Sequence, residues 1–167
     1  VRVGTVQSVG TRVLPRLLAG FHARRPGVDV LLRESHDVHE LLDAVADGDL
    51  DVTFTEVATD GRFEYRRMLD DPFVFVAPAG TPIAERTSVT VEEVTALPLI
   101  GYRDAVCSTV VEQIFRPGDT PSFVFRSDDN PTIQGCVASG IGYWATPLLT
   151  IDTDDPAVVV VPIAPAP

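Results

Sequence analysis

Residues 1–54, VRVGTVQSVGTRVLPRLLAGFHARRPGVDVLLRESHDVHELLDAVADGDLDVTF, decide the fold class. Val1–Thr5 alternates apolar and polar residues, as a half-buried strand does. A short turn is expected at Gln7–Thr11. Leu14, Leu17, Leu18 and Phe21 then recur at helical spacing until Pro26-Gly27 stops them. Pro15 fits the first helical turn, where its missing N–H leaves no bond unmade. Val28–Leu32 reads as a second strand. Asp37 and Glu40 have capping-box spacing, with Asp37 accepting from the Glu40 amide and Glu40 reaching back. Val38, Leu41, Leu42 and Val45 form the apolar stripe of the helix that follows, Gly48 ends it, and Asp51–Thr55 is a third strand. Strand, helix, strand, helix, strand with short connections predicts a parallel sheet with right-handed crossovers.

Working outward, Phe73–Ala77 is a nearly continuous apolar run of the kind buried on both faces. A second strand–helix series follows. Thr90 and Glu93 form another capping box, Leu97–Ile100 is a short strand, and Val106, Val110, Val111 and Ile114 mark a helix ending before Pro117-Gly118. Ser122–Arg126 is the next strand. Asn130-Pro131 reads as an N-cap followed by proline at the first helical position, with Thr132–Ser139 the helix and Gly140 its stop. Gly142–Ala145 and Ala157–Ile163 read as the last strands. No repeat of fixed period is present, only two series built on similar logic.

The chain has 167 residues, 45% of them hydrophobic and 22% charged, which excludes general disorder. Its net charge of −11 opposes nucleic-acid binding by these residues, because that binding is driven by clustered Lys or Arg. All the basic residues are arginine, which reads as codon bias in a GC-rich genome. Cys107 and Cys136 have no CxxC partner, so neither a zinc site nor a disulfide scaffold is expected. No apolar run approaches the ~20 residues needed to span a bilayer.

The opening 54 residues closely resemble the start of LysR-type effector-binding domains: a strand, a small-polar turn, an LLP-like helix, a PGV turn, a second strand and an LLDAL–G–LDL-like close. DDPFVFVAPAGTPIA (70–84), VTVEEVTALPLIGY (89–102) and CVASGIGYWATP (136–147) are similar to later parts of the same family, in the same order. The resemblance implies an α/β fold of two Rossmann-like lobes, the type 2 periplasmic-binding-protein architecture, with mainly parallel sheets and helices on both faces. It implies a first lobe of residues 1–75 plus 159–167 and a second of 76–158, with the first lobe C-terminally truncated. It further implies a cytoplasmic sensor, not an enzyme, that binds a small carboxylate-bearing effector in the interlobe cleft. Such domains form homodimers through the first helix (Arg12–Arg24) and a second-lobe helix of the partner, and homotetramers in full-length members. Promoter DNA is held only by a winged helix preceding this region, and no membrane is engaged. An exported solute-binding protein of the same fold is the alternative.

Ligands of open parallel sheets bind beyond the carboxyl ends of the strands. Four turns fit that position: Gln7–Thr11, Glu34–Asp37, Gly101–Cys107 and Ser127–Asn130. The ligand candidates within or beside them are Ser8, Val9, Gly10, Ser35, His36, Glu56, Gly101, Tyr102, Arg103, Asp129 and Asn130. Ser8 and Ser35 stand where family members place small hydroxyl residues against effector carboxylates; each also reads as a plain turn or cap residue, and the roles can coexist. Tyr102 offers stacking or a hydrogen bond, and Arg103 a bidentate carboxylate contact; the alternative is a part-buried tyrosine beside an exposed arginine. Glu56, if turned inward, favours a ligand carrying a donor group. A catalytic cysteine needs a positioned base; His36 is the only histidine placed to serve Cys107, and no catalytic residue is assigned. Asp152, Asp154 and Asp155 lack the glycine and distal glutamate of a calcium loop and read as a solvated turn, so no metal or cofactor is expected.

Overall fold

The computed structural model describes residues 1–55, 61–103 and 112–165. The chain divides into two compact units, Val1–Leu69 and Asp70–Pro167.

In the first unit, β1 (Arg2–Thr5) lies between β2 (Leu31–Glu34) and β3 (Val52–Thr53), all parallel. Register pairs Thr5 with Glu34, so β1 and β2 end side by side. The helices of this unit are α1 (Gln7–Arg12), α2 (Leu14–Arg24) and α3 (Val38–Ala46). The Gln7–Thr11 stretch, expected to be a turn, is helical, with Gly10 N donating to Val6 O at 2.9 Å and Val13 N to Val9 O at 3.0 Å. Pro15 has no N–H to continue that ladder, and the helix breaks at Val13. The second strand begins at Leu31, three residues later than its sequence pattern. The α3 stripe is as expected: Val38, Leu41 and Leu42 are buried, and Leu41 packs with Ala44 and Leu50. Gly4 allows the strands to close, because a Cβ there would stand 2.6 Å from Thr53 Oγ1 and 2.8 Å from Leu50 Cδ1.

β3 is also tied to β1 by charge. Arg2 Nη2 donates to Asp51 Oδ1 at 2.6 Å, and the Arg2 amide to Asp51 Oδ2 at 2.7 Å. The side-chain bond from Arg2, reinforced by that amide, holds the Asp51 carboxyl down at about 2.

The second unit is built around β4 (Phe73–Pro78), which runs antiparallel to both β7 (Trp144–Pro147) and β8 (Val158–Pro162). β5 (Pro98–Gly101) and β6 (Ser122–Arg126) pair in parallel. The expectation of mainly parallel sheets therefore holds for β1–β3 and for β5–β6 but not around β4. The expected break after Phe75 falls inside β4, a continuous strand zipped to two neighbours. Residues 159–163, expected to return to the first lobe, pair with β4 or lie next to that pairing, within the second unit.

The apolar run of β4 is explained by burial on both faces. Val74 and Val76 enter one core cluster with Ile100, Ile133, Val137 and Trp144; Phe75 and Ala77 enter another with Val89, Val94, Leu99 and Val161. Helix α4 (Val91–Thr95) carries the expected capping box, with Thr90 Oγ1 accepting from the Glu93 amide and Glu93 from that of Thr90. Helix α5 (Asn130–Ala138) starts one residue earlier than expected: Asp129, not Asn130, is the N-cap, accepting from the Thr132 amide at 2.8 Å. Most of the helix expected over 106–114 lies outside the described residues. Among the described residues, no helix is long and apolar enough to cross a membrane.

Since Asp51 is ionised to lower pH in the folded protein than its ordinary 3.8, the Arg2 pairing stabilises above that value and is lost as pH falls through about 2. In Asp51→Asn this loss is absent. Acid titration of thermal stability should give a flatter curve for the variant than for the parent between those two values; matching slopes would remove the pair from the account.

Candidate functional site

The loops beyond the parallel strands are built the same way in both units. In the first, the Ser35 amide donates to the Thr5 carbonyl at 3.2 Å, closing the end of β1 against β2. Ser35 Oγ accepts from the Asp37 amide at 3.1 Å, and Asp37 Oδ1 caps α3 through the His39 and Glu40 amides. In the second, the Ser127 amide donates to the Gly101 carbonyl at 3.1 Å, closing β5 against β6. Ser127 Oγ accepts from the Asp129 amide at 3.2 Å, and Asp129 caps α5. A Ser-x-Asp triplet thus turns strand into helix twice: serine supports the aspartate amide, and aspartate satisfies the helix's first amides.

Within this frame the candidate residues separate. Ser8 sits in the first turn of α1, half-buried, and Val6 provides that helix with no side-chain cap. Val9 contributes its carbonyl to the Val13 amide. Gly10 acts by lacking a side chain: a Cβ there would stand 3.0 Å from Glu34 Oε1 and 3.4 Å from Thr5 Cγ2, so α1 can lie close over the ends of β1 and β2. The Ser35 hydroxyl donates to Glu40 Oε2 at 2.7 Å, and Glu40 also pairs with Arg33. The expected capping box is therefore rerouted, with Glu40 reaching Ser35 instead of the Asp37 amide. The Ser35 bond, then that from Arg33, pulls the Glu40 carboxyl below its ordinary range. His36 is exposed on the same loop. Glu56 and Cys107 lie outside the described residues.

In the second unit, Gly101 lets the Phe123 ring approach: a Cβ at Gly101 would stand 2.7 Å from it. Arg126 lies 4.1 Å over that ring and donates to the Tyr102 carbonyl at 2.6 Å. Tyr102 is buried, with its ring edge-on to Trp144 at 6.1 Å and its hydroxyl donating to Asn130 Oδ1 at 2.7 Å. Asn130 is buried as well. This pair faces inward, unlike Arg103, whose side chain is 79% exposed. Asp128 fixes that guanidinium by accepting from Arg103 Nε at 2.9 Å and from its amide at 3.0 Å, with Nη2 also at 2.9 Å.

Ser127 and Asp128 were expected only as part of the Ser127–Asn130 turn and Glu40 only as a cap; their bonds to Asp129, Arg103 and Ser35 were not foreseen. The recurrence of Ser-x-Asp at Ser35 and Ser127 was the available signal. The acidic 152–155 turn is exposed at residues 152–154, as expected of a solvated turn, and is also anchored by hydrogen bonds. Gln134 on α5 exchanges two bonds with the Asp152 backbone, at 2.8 and 3.0 Å, and donates to Asp155 Oδ2 at 3.0 Å. The Ala157 amide, then Gln134, lowers the Asp155 carboxyl. No group of His, Cys, Asp and Glu arranged to hold a metal occurs among the described residues.

Parallel strands feeding capped helices, with hydroxyl, imidazole and guanidinium groups on the loops past the strand ends, define a ligand-binding α/β module. The comparisons specify which. The LysR substrate binding domain family matches residues 1–167, and the chain belongs to that family. It is 26% identical over 152 residues to the uncharacterized HTH-type transcriptional regulator YybE of Bacillus subtilis, covering 88% of this chain and 51% of that protein. With the DNA-binding transcriptional dual regulator OxyR of Escherichia coli it shares 24% over 154 residues, 90% of this chain and 50% of the relative. The chain thus spans about half the length of these relatives. Among solved structures, the LysR family regulator HinK of Pseudomonas aeruginosa superposes with a TM-score of 0.85 at 24% identity, covering 99% of this chain and 59% of that one. The Synechocystis CcmR regulatory domain, solved with 2-PG, gives 0.86 at 18%, covering 100% and 82%. Both likenesses establish the fold.

The Gln134 clamp is sensitive to charge. Gln134→Glu places a carboxylate against the Asp152 carbonyl and the Asp155 carboxylate, removing donors that a buried site needs. Its melting temperature should fall well below the parent's at neutral pH, and the deficit should shrink below about pH 5, where a carboxyl regains a proton. A deficit that does not vary with pH would reject the clamp's role.

Proposed function

We propose that this chain is the effector-sensing region of a LysR-type transcription regulator, working in the cytoplasm as a sensor rather than a catalyst. The observation that carries the reading is the family match over every residue of the chain, joined to relatives named as transcription regulators that are twice as long. Those relatives give no support to an exported solute receptor. Promoter DNA is contacted by a part of the protein outside residues 1–167; a chain of net charge −11 is not suited to it.

The effector is a small molecule bearing a carboxylate, received on the loops past the strand ends. The candidate contacts, each unit taken by itself, are Ser8 and His36 on the loops of the first unit and Arg103 on a loop of the second, with Ser35 bonded to Glu40 behind them. Arg103 supplies the charge, held in a fixed orientation by Asp128, and Ser8 supplies a hydroxyl. Gly10, Gly101, Tyr102, Asp129 and Asn130 shape these loops from behind. An effector acts only through a difference in affinity between two arrangements of the protein, here arrangements of a homodimer and of a homotetramer of the full-length protein. The dimer reading is supported by Leu17, an apolar side chain left in solvent on α2.

Two measurements test the proposal. The coding sequence upstream of the Val1 codon should encode a helix-turn-helix and a linker helix; a secretion leader there would overturn the reading. In a thermal-shift screen of metabolite carboxylates, an effector at about a hundred times its Kd stabilises by about 2.7 kcal/mol. Ser8→Ala and Arg103→Ala, tested separately, should each weaken that effector about tenfold or more while leaving the unliganded melting temperature within about a degree or two. An unchanged shift in either variant removes that residue from the site.

A further inference from the structure

Ser35 has one hydroxyl proton and two lone pairs to place. The proton goes to Glu40 Oε2 at 2.7 Å, and one lone pair takes the Asp37 amide at 3.1 Å. Arg33 holds Glu40 in position by pairing with its other oxygen, Oε1. An ionised acceptor draws a hydroxyl proton more strongly than a neutral one does. To an incoming group, Ser35 therefore presents a lone pair and no proton.

The residue before it has the same polarity. Glu34 closes β2, and its Oε1 lies 3.0 Å from where a Cβ on Gly10 would stand, against α1. Glu34 is exposed, and among the described residues its carboxylate makes no hydrogen bond or ion pair. Past the ends of β1 and β2 the first unit thus offers acceptors, the Ser35 lone pair and the Glu34 carboxylate. A ligand carboxylate at Ser35 would have to take the serine proton from Glu40 and settle beside the Glu40 charge. A hydroxyl or ammonium uses the lone pair with every existing bond kept.

We propose that Glu40 decides what the first unit accepts: by holding the Ser35 proton, it selects an effector that carries a hydrogen-bond donor, a hydroxyl or an ammonium, in addition to its carboxylate. The effector is then a hydroxy acid or an amino acid, and not a simple carboxylic acid. This rests on the effector reading above and narrows it. Glu40 touches no ligand; it positions a proton, and Ser35 makes the contact.

The first arm of the test needs no ligand. A carbon-detected NMR titration should find the Glu40 carboxyl below its ordinary 4.5 in the parent and higher in Ser35→Ala, because the Ser35 bond is the leading cause of that lowering. A Glu40 carboxyl that titrates alike in both proteins overturns the proposal. The second arm uses matched probes: propanoate, lactate and alanine, then succinate, malate and aspartate. Each is titrated against the backbone amide signals of residues 34–36. In each set the parent should bind the hydroxy or the amino acid about tenfold more tightly than the unsubstituted acid, and the tighter of the two names the donor. In Glu40→Ala the Ser35 proton is free, and that preference should fall toward parity. It should stay low in Arg33→Gln/Glu40→Ala, where no freed arginine can be the cause. Four results would each overturn the proposal: a parent that prefers the unsubstituted acids, a preference unchanged in Glu40→Ala, one restored when Arg33 is also replaced, and no donor-bearing probe moving those amides up to its solubility limit. None of them touches the effector reading, which stands or falls on the upstream coding sequence and on the Ser8 and Arg103 variants.

Discussion

A single backbone hydrogen bond, made once in each unit, governs the architecture of the candidate site. The amide of the residue just past one strand donates to the last carbonyl of its parallel neighbour: Ser35 to Thr5 and Ser127 to Gly101. Parallel strands end in unpaired carbonyls and amides, and burying those groups unpaired would cost more than the turn could recover. The bond finishes the ladder and leaves the serine hydroxyl beside the next amide but one. That position lets Ser35 and Ser127 support Asp37 and Asp129, which cap the helices. Strand end, turn and helix start are therefore one hydrogen-bonded piece.

The hydrogen bonds of these loops engage several of their polar side chains. Tyr102 and Asn130 are buried and bonded to each other and Ser35 is bonded to Glu40, while Ser8 is half-buried and His36 and Arg103 are exposed. Arg103 is itself oriented by Asp128. Preorganisation of this kind lowers the cost of ordering side chains on binding. It also separates side chains turned to solvent from those bonded within the loops, a distinction invisible to motif spacing.

The sequence carried much of the fold. Periodicity located β1, α3, β5 and β6, the Thr90–Glu93 box appeared as written, and the unbroken apolar run at 73–77 announced a strand buried on both faces. The failures have specific causes. Gln7–Thr11 reads as a turn because Ser, Gly and Thr favour turns locally; packing of Gly10 over the ends of β1 and β2 overrides that preference. The capping box at Asp37 was half right, because a serine two residues earlier competed for Glu40 and a nearby arginine reinforced it. Asp128 could not be picked out by type among the acids of residues 128–129; only the fold brings it to Arg103.

What the sequence determined by itself was local: where hydrophobic period changes, where helices start, and which small or hydroxyl residues fall at strand ends. Those properties depend on neighbours within a few residues, and in this chain they were sufficient to expose the family. The tertiary structure decided pairing. It set β4 antiparallel to β7 and β8 and kept residues 159–163 with the second unit. It also turned Tyr102 inward to Asn130 and placed Asp71 on a turn 78 residues away. Such contacts depend on which distant surfaces share one core, and no spacing rule along the chain encodes that geometry.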